Sequence, residues 1–125
     1  MPWDLTIELP NQPGTLADVA EQLAAANVNI EGVAAVPVGA HSEVHFLVDE
    51  PGEARQILEE SGIPVIHDRE VLVVECPDRP GELAARARAL GNAGINIDIL
   101  YIATRTRLVI GVVNVAEAAA ALAEA

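Results

Sequence analysis

The stretch Leu9-Pro10-Asn11-Gln12-Pro13-Gly14-Thr15-Leu16 recurs 67 positions later as Cys76-Pro77-Asp78-Arg79-Pro80-Gly81-Glu82-Leu83. It belongs to a gapless match of residues 5–30 to residues 72–97, in which 12 of the 26 pairs are identical. Chance would give about one or two identities over such a length. The chain is therefore an internal duplication, with a first repeat at 1–67 and a second at 68–125. A unit of this length suits a small α/β domain rather than a solenoid repeat.

The pattern around the repeated loop predicts the elements of each copy. Residues 4–9 alternate apolar and polar side chains, which predicts a half-buried strand. Pro13 follows at a position typical of the first turn of a helix, and the helix is expected to end at Asn27 or its counterpart Gly94. The predicted order in the first repeat is strand, helix, strand, strand, helix, strand. This order predicts an α+β fold with helices on one face of an antiparallel sheet, the ferredoxin-like βαββαβ plait.

The second repeat is shorter than the first. Its second helix, predicted at about Ala116 to Glu124, reaches the end of the sequence and leaves no residues for a last strand. The first strand of that repeat would then be a bare edge, which proteins usually cover. We expect either the predicted short strand Ile63 to Ile66, joined to it by a turn at His67 to Glu70, or a partner subunit to cover it.

Composition narrows the function classes. The 125 residues carry 19 acidic and seven basic side chains, all seven arginine, for a net charge of −12. This charge disfavours nucleic acid and anionic membrane surfaces as partners. Neither a signal peptide nor a membrane-spanning segment is recognisable. The single cysteine, Cys76, permits no internal disulfide and suits a reducing cytoplasm.

Three further groups of residues have both a possible functional role and a simpler structural explanation. His41, Glu43 and His45 share one face of a strand, where solvated polar residues are favoured over metal ligands. Cys76 occupies the strand position of Leu9, so a buried apolar role is favoured over a reactive thiol. An exposed pair of arginines, Arg105 and Arg107, is favoured over an effector clamp. We therefore predict no metal, no cofactor and no catalytic residue.

The repeated loop can recognise a charged ligand. A helix N-terminus offers unpaired N–H groups and partial positive charge, which suit a carboxylate. Gly14 and Gly81 keep side chains away from a close ligand, and the amides of Asn29 and Asn96 can both donate and accept. From the spacing alone, a simple turn and cap remain an alternative to a site for a free amino acid.

Both copies resemble ACT domains, the ligand-sensing modules found at the ends of phosphoglycerate dehydrogenase and aspartokinase. The strand-to-helix loops quoted above and the helix-to-strand junctions Asn27 to Glu31 and Ala93 to Asp98 carry the resemblance. It implies that loops and junctions, often from neighbouring domains, enclose a free amino acid. The implied ligand-binding residues are Asn11, Gln12, Pro13, Gly14, Thr15, Leu16, Asn29 and Ile30 in the first repeat, and Asp78, Arg79, Pro80, Gly81, Glu82, Leu83, Asn96 and Ile97 in the second.

The two loops differ in charge, and we expect non-equivalent sites. The first has neutral Asn11 and Gln12, whereas the second has Asp78 and Arg79. Asp78 could bind a ligand ammonium or cap the helix, and Arg79 could bind a carboxylate or lie in solvent. Because a capping Asp78 would occupy the positive end of the helix, we expect the first repeat to bind the ligand carboxylate.

The sequence predicts that the second sheet is apolar on both faces, which favours an assembly. Ile97, Ile99, Ile110 and Val112 are expected to face the helices, and Leu100, Ile102, Val109, Gly111 and Val113 the opposite side. A sheet apolar on both faces needs two covers, so we expect a homodimer or contact with the first copy.

Three classes of function follow from the sequence. The favoured class is a regulatory protein that binds an amino acid and has no catalysis of its own. The alternative is an interaction module that acts through a biosynthetic enzyme without strong ligand binding alone. A small enzyme is the least favoured class, since no residue is nominated for chemistry.

Overall fold

The structure, a computed structural model, describes residues 2–124. These residues form two compact units, one of residues 3–69 and one of residues 70–124 together with residue 2. Both units combine helices with an antiparallel sheet, which confirms the predicted α+β, ferredoxin-like fold. No helix of the described part is both long and apolar enough to cross a membrane.

The first unit contains a complete βαββαβ arrangement. Its elements are β1 (Trp3–Pro10), α1 (Thr15–Ala25), β2 (Ile30–Val38), β3 (His41–Val48), α2 (Pro51–Glu60) and β4 (Val65–Glu70). The strand order is β4-β1-β3-β2, and β3 pairs antiparallel with both β1 and β2. Alternate apolar residues of β1 and β3 are buried against the two helices because side chains of a strand point to opposite faces. The centre of this core is formed by Leu5, Ile7, Val19, Leu23, Val44, Phe46 and Leu58.

The second unit repeats this order up to its second helix. Its elements are β5 (Leu72–Glu75), α3 (Glu82–Asn92), β6 (Ile99–Ala103), β7 (Arg107–Gly111) and α4 (Val115–Ala123). The strand order is β6-β7-β5, and within residues 2–124 no strand follows α4. The absence of a last strand from this repeat is therefore confirmed. Its core is formed by Leu90, Leu108, Ile110, Val112 and Ala118.

The predicted helix boundaries have the expected physical cause. Asn27 and Gly94 follow the C-termini of α1 and α3 with φ of 61° and 74°, the left-handed conformation that these residue types tolerate. The side chain of Asn114 caps α4 by accepting a hydrogen bond from the Glu117 N–H at 3.0 Å. Local sequence is sufficient to fix such positions.

The predicted cover for the edge of β5 is wrong. Residues Ile63 to Ile66 do not reach β5; β4 begins at Val65, continues through the supposed turn at His67 to Glu70, and lies beside β1. Arg55 of α2 donates a hydrogen bond to Asp68 of β4, so a polar side chain in this edge strand has a partner. The strand β5 stands at one end of the strand order. Whether a partner subunit covers it stays a prediction.

The predicted faces of β6 are also wrong. Residues Ile95 to Asp98 precede the strand, and the ladder places Leu100 opposite Ile110 and Ile102 opposite Leu108. Leu100 and Ile102 therefore point to the helix-facing side, where they remain exposed at 41% and 72%. Tyr101, Ala103 and Val109 point the other way and are buried within the single chain.

Candidate functional site

The loop of the first repeat ends in a glycine turn that leaves the start of α1 open. Gly14 has φ of +89°, and the Thr15 hydroxyl donates to the carbonyl oxygens of Pro10 at 2.9 Å and Gln12 at 3.1 Å. No side chain caps α1, and within residues 2–124 the N–H groups of Leu16 and Ala17 have no protein acceptor. Such N–H groups are available to a negatively charged ligand.

The loop of the second repeat has the same backbone conformation with a different set of charges. Gly81 has φ of +88°, and no side chain caps α3. Of the two roles considered for Asp78, capping of this helix is not observed, and its carboxylate has no partner in the described part of the chain. Capping by Asp78 therefore no longer gives a reason to favour the first repeat as the site for the ligand carboxylate.

A chain of ion pairs holds the remaining charges of the second loop. Arg79 lies 3.1 Å from the Glu82 carboxylate, and Arg86 lies 3.0 Å from its other oxygen while also donating to the Glu82 carbonyl oxygen. The hydrogen bond from Arg86 and the charges of both arginines lower the pKa of Glu82. Glu82 is therefore ionised at neutral pH and fixes Arg79 at the rim of the loop.

The two loop glycines are required by their backbone conformation rather than by lack of space. A β-carbon at Gly14 or Gly81 would meet no atom within 4 Å. A positive φ is costly for residues with a β-carbon, which explains glycine in both copies. Steric crowding therefore does not account for either glycine.

A cavity of about 340 Å³ lies at the loop of the second repeat. Its volume is at the lower end of the range of about 300–1,000 Å³ typical of small-molecule sites. Four of the predicted ligand residues line it, together with Ile102 of β6 and Thr106 of the turn that follows. The lining residues are Cys76, Pro77, Asp78, Arg79, Glu82, Leu83, Ile102 and Thr106.

A larger cavity of about 450 Å³ in the same repeat is a weaker candidate. It is lined mainly by apolar residues of β5, α3 and α4, including Leu72, Val74 and Leu122. Its only charged lining residues are Glu75 and Arg86, and no uncapped helix N-terminus contributes to its lining. A binding site for a small polar molecule needs convergent polar groups, which the smaller cavity offers and this one does not.

The register separates each loop from the asparagine of its own repeat. Pro10, which precedes the first loop, pairs with His41, whereas Ile30, which follows Asn29, pairs with Val48. Seven residues of β3 separate these points, a distance of about 23 Å at about 3.3 Å per residue. In the second repeat Glu75 pairs with Arg107, at the end of β7 remote from Gly111, which accepts the hydrogen bond of Asp98 N–H. Asn29 and Asn96 can therefore meet such a loop only from outside their own repeat.

The isoleucines of the two junctions have a structural role. Ile30 and Ile97 are partly buried and pack against the cores of their respective repeats. The neighbouring Asn29 is exposed, and its backbone N–H donates to the Asp49 carboxylate at 2.9 Å. The asparagine side chains are thus more accessible to a ligand than the isoleucines are.

A buried polar cluster in the first unit was missed by the sequence analysis. Asp4 and Thr6 of β1 are fully buried on the face opposite α1 and α2, and the Thr6 hydroxyl donates to Asp4 at 2.6 Å. His45 of β3 places Nδ1 at 3.2 Å from the Asp4 carboxylate and Nε2 at 3.2 Å from Glu43. These neighbours, the Asp4 hydrogen bond foremost, outweigh burial and raise the pKa of His45. The expectation of a solvated residue is therefore wrong for His45, which belongs to a packed polar network.

The other sequence candidates have ordinary surroundings. His41 is exposed, and among residues 2–124 no group of three or more His, Cys, Asp or Glu side chains could hold a metal ion. Cys76 is half-buried and packs against the core of its repeat. Arg107 donates to the carbonyl and hydroxyl oxygens of Thr104, which holds it in its own turn.

The chain consists of a βαββαβ unit and a second unit that repeats it without the last strand, each with an open glycine turn at the start of its first helix. The family model of the ACT domain matches residues 3–60 and 71–125. The chain therefore belongs to the ACT-domain family, whose members are regulatory modules that bind small molecules.

Solved structures extend the comparison over the whole chain. Protein BT0572 from Bacteroides thetaiotaomicron is 27% identical with a TM-score of 0.87, and the match covers 98% of this chain and 86% of that one. The regulatory subunit of aspartate kinase from Thermus thermophilus, in its ligand-free form, is 23% identical with a TM-score of 0.73 over 98% and 89% of the two chains. The corresponding subunit from Thermus flavus is 21% identical with a TM-score of 0.71, over 98% and 90%. No curated protein sequence matches.

Proposed function

We propose that this ACT-domain protein binds a free amino acid and thereby regulates a partner enzyme of amino-acid biosynthesis, without catalysis of its own. The cavity at the second loop carries the proposal, because it gathers an unpartnered carboxylate, an arginine and uncapped helix N–H groups around a space of suitable size. An amino acid needs these complementary groups, since its ammonium and carboxylate must both be neutralised when they leave water.

The proposed contacts divide by charge. Asp78 binds the ligand ammonium, while the free N–H groups at the start of α3 and the rim guanidinium of Arg79 face the carboxylate. The first loop, with Asn11, Gln12, Gly14 and Thr15, offers a neutral and weaker version of the same site. Asn29 and Asn96 do not take part in the site formed by the loop of their own repeat.

A thermal-shift screen over the twenty amino acids tests binding. A ligand at 100 times its Kd stabilises the folded chain by about 2.7 kcal/mol, which is readily seen as a rise in Tm. Asp78→Asn places the residue of the first repeat in the second, and we expect it to weaken binding about ten-fold through loss of a charge-assisted bond. Asn11→Asp is the matched control in the other loop. Absence of any ligand-induced shift would refute the proposal.

Action through a partner is the second part of the proposal. In Thermus thermophilus the same fold forms the regulatory subunit of an aspartate kinase, which is the precedent for this role. Affinity purification of the tagged chain with and without the bound amino acid should recover a biosynthetic enzyme in a ligand-dependent ratio. Recovery of an enzyme without any ligand response would favour the alternative, an interaction module that does not sense an amino acid.

A homodimer also stays part of the proposal. Leu100 of β6 and Val113, which follows β7, are large apolar residues exposed at 41% and 96%. Large apolar side chains left in water are typical of interaction sites when a partner covers them. Light scattering of the purified chain tests this, and a monomer at all concentrations would contradict it.

A further inference from the structure

We propose that the second site selects amino acids with an apolar side chain, and that Ile102 is the residue that determines this specificity; the inference rests on the proposed function of the same site. The lining of the cavity divides by chemistry. Asp78, Arg79, Glu82 and Thr106 are polar, and the apolar residues include Leu83 and Ile102. Asp78 and the N–H groups at the start of α3 suffice for the two charges shared by every amino acid, which leaves the apolar group to contact the side chain.

Leu83 and Ile102 are not packed into the core of the repeat. Their exposed fractions are 44% and 72%, although both side chains line the cavity. Burying such surface under an apolar ligand is favourable at about 25 cal/mol per Å², whereas a charged side chain would lose hydration there without a partner. The carboxylate of Glu82 is not available as that partner, because Arg79 and Arg86 already occupy it.

The first repeat provides an internal comparison. Ile102 pairs with Leu108, which pairs with Val74 of β5. In the first repeat Ala35 pairs with Val44, which pairs with Ile7 of β1. Ile7 and Val74 are equivalent under the 67-residue repeat, as are Ala35 and Ile102. The strand ladders and the sequence repeat thus agree that Ile102 stands where the first copy has alanine.

Most positions that line the second cavity differ between the copies, including Asp78, Arg79, Glu82 and Ile102. Leu16 and Leu83 are the same in both loops and are similarly exposed, at 42% and 44%. The larger residue at 102 therefore adds apolar contact that the first repeat lacks. The two sites are expected to differ in selectivity as well as in charge.

Titration of the full chain with leucine, valine, serine, lysine and glycine tests the inference. Glycine has no side chain, so its affinity measures binding of the ammonium and carboxylate alone. The ratio of leucine to glycine affinity therefore measures the apolar contact. We expect leucine or valine to bind at least ten-fold more tightly than glycine, serine or lysine. Ile102→Ala should lower leucine affinity about ten-fold and leave glycine affinity unchanged, because only the side-chain contact is removed.

The controls separate the possible failures. Ala35→Ile in the first repeat should not weaken leucine binding, and thermal unfolding of each variant checks the fold. Binding of glycine and leucine with equal affinity would overturn the inference and leave the proposed function intact, whereas binding of no amino acid would overturn both. Loss of self-association in Ile102→Ala, without any change in leucine affinity, would identify Ile102 as a subunit contact and overturn the inference.

Discussion

Two alanine substitutions in one stretch of the chain test why glycine occupies the loop. Gly81 and Gly91 both have open space where a β-carbon would stand, but only Gly81 has a positive φ, of 88°. Alanine at 81 must adopt a left-handed conformation at a cost of about 1–2 kcal/mol. Alanine also restricts the conformations of the unfolded chain, which offsets about 0.4–1 kcal/mol of this cost. We therefore expect Gly81→Ala to destabilise the folded chain by about 1 kcal/mol.

Gly91 lies within α3, so the same substitution should have the opposite sign there. Alanine is favoured over glycine by about 0.5–1 kcal/mol in a helix interior, and by about half of that at Gly91, the next-to-last residue of α3. The two variants should therefore differ in free energy of unfolding by about 1.5 kcal/mol. Urea unfolding followed by circular dichroism measures this difference, provided that the m-values agree. Equal effects of the two substitutions, or a stabilising Gly81→Ala, would refute the conformational explanation.

The remaining predictions concern the polar cluster and the close approach of two strands. Since the pKa of His45 is raised above its ordinary value of 6.5, its stabilising effect should be complete below that pH and be lost as the pH rises through the higher folded-state value. The difference in Tm between the wild type and His45→Asn should thus be largest near pH 5.5 and shrink toward pH 8.5, and a difference independent of pH would contradict the raised pKa. Gly111→Ala should cost about 1–3 kcal/mol, because its β-carbon would lie 2.6 Å from the Ile99 β-carbon; a neutral effect in urea unfolding would show that β6 can move away.

Local patterns were sufficient to predict most of the fold. The repeated loop, the ends of α1 and α3 and the order of elements depend on residues close together in sequence. Gly14, Gly81, Asn27 and Gly94 all adopt positive φ, and such residues mark their positions independently of the rest of the chain.

The errors concern features that only long-range pairing decides. The polar residues His67 to Glu70 have the composition of a turn, yet they form part of β4 because the edge of β1 is available to them. The faces of β6 were assigned with the strand beginning at Ile95, whereas the ladder starts at Ile99 and pairs Leu100 with Ile110. In a strand, the choice of partner determines which alternate residues face the helices.

The candidate site was predictable only where its residues are adjacent in sequence. Asp78, Arg79, Glu82 and Leu83 are adjacent in sequence and line one cavity. Ile102 joins them only through the ladder of β5, β7 and β6, which no local pattern encodes. Asp4 and His45 are 41 residues apart, so a buried polar pair between them could not be read from either strand alone.

The strand left at the margin of the second sheet has a consequence for solubility. Unpaired strand margins can recruit foreign chains and start fibril growth, and natural proteins limit this danger by keeping such strands brief. β5 spans only four residues, and Pro77, which has no N–H to donate, follows two positions after its end. The shortened repeat thus exposes too little backbone to template an aggregate.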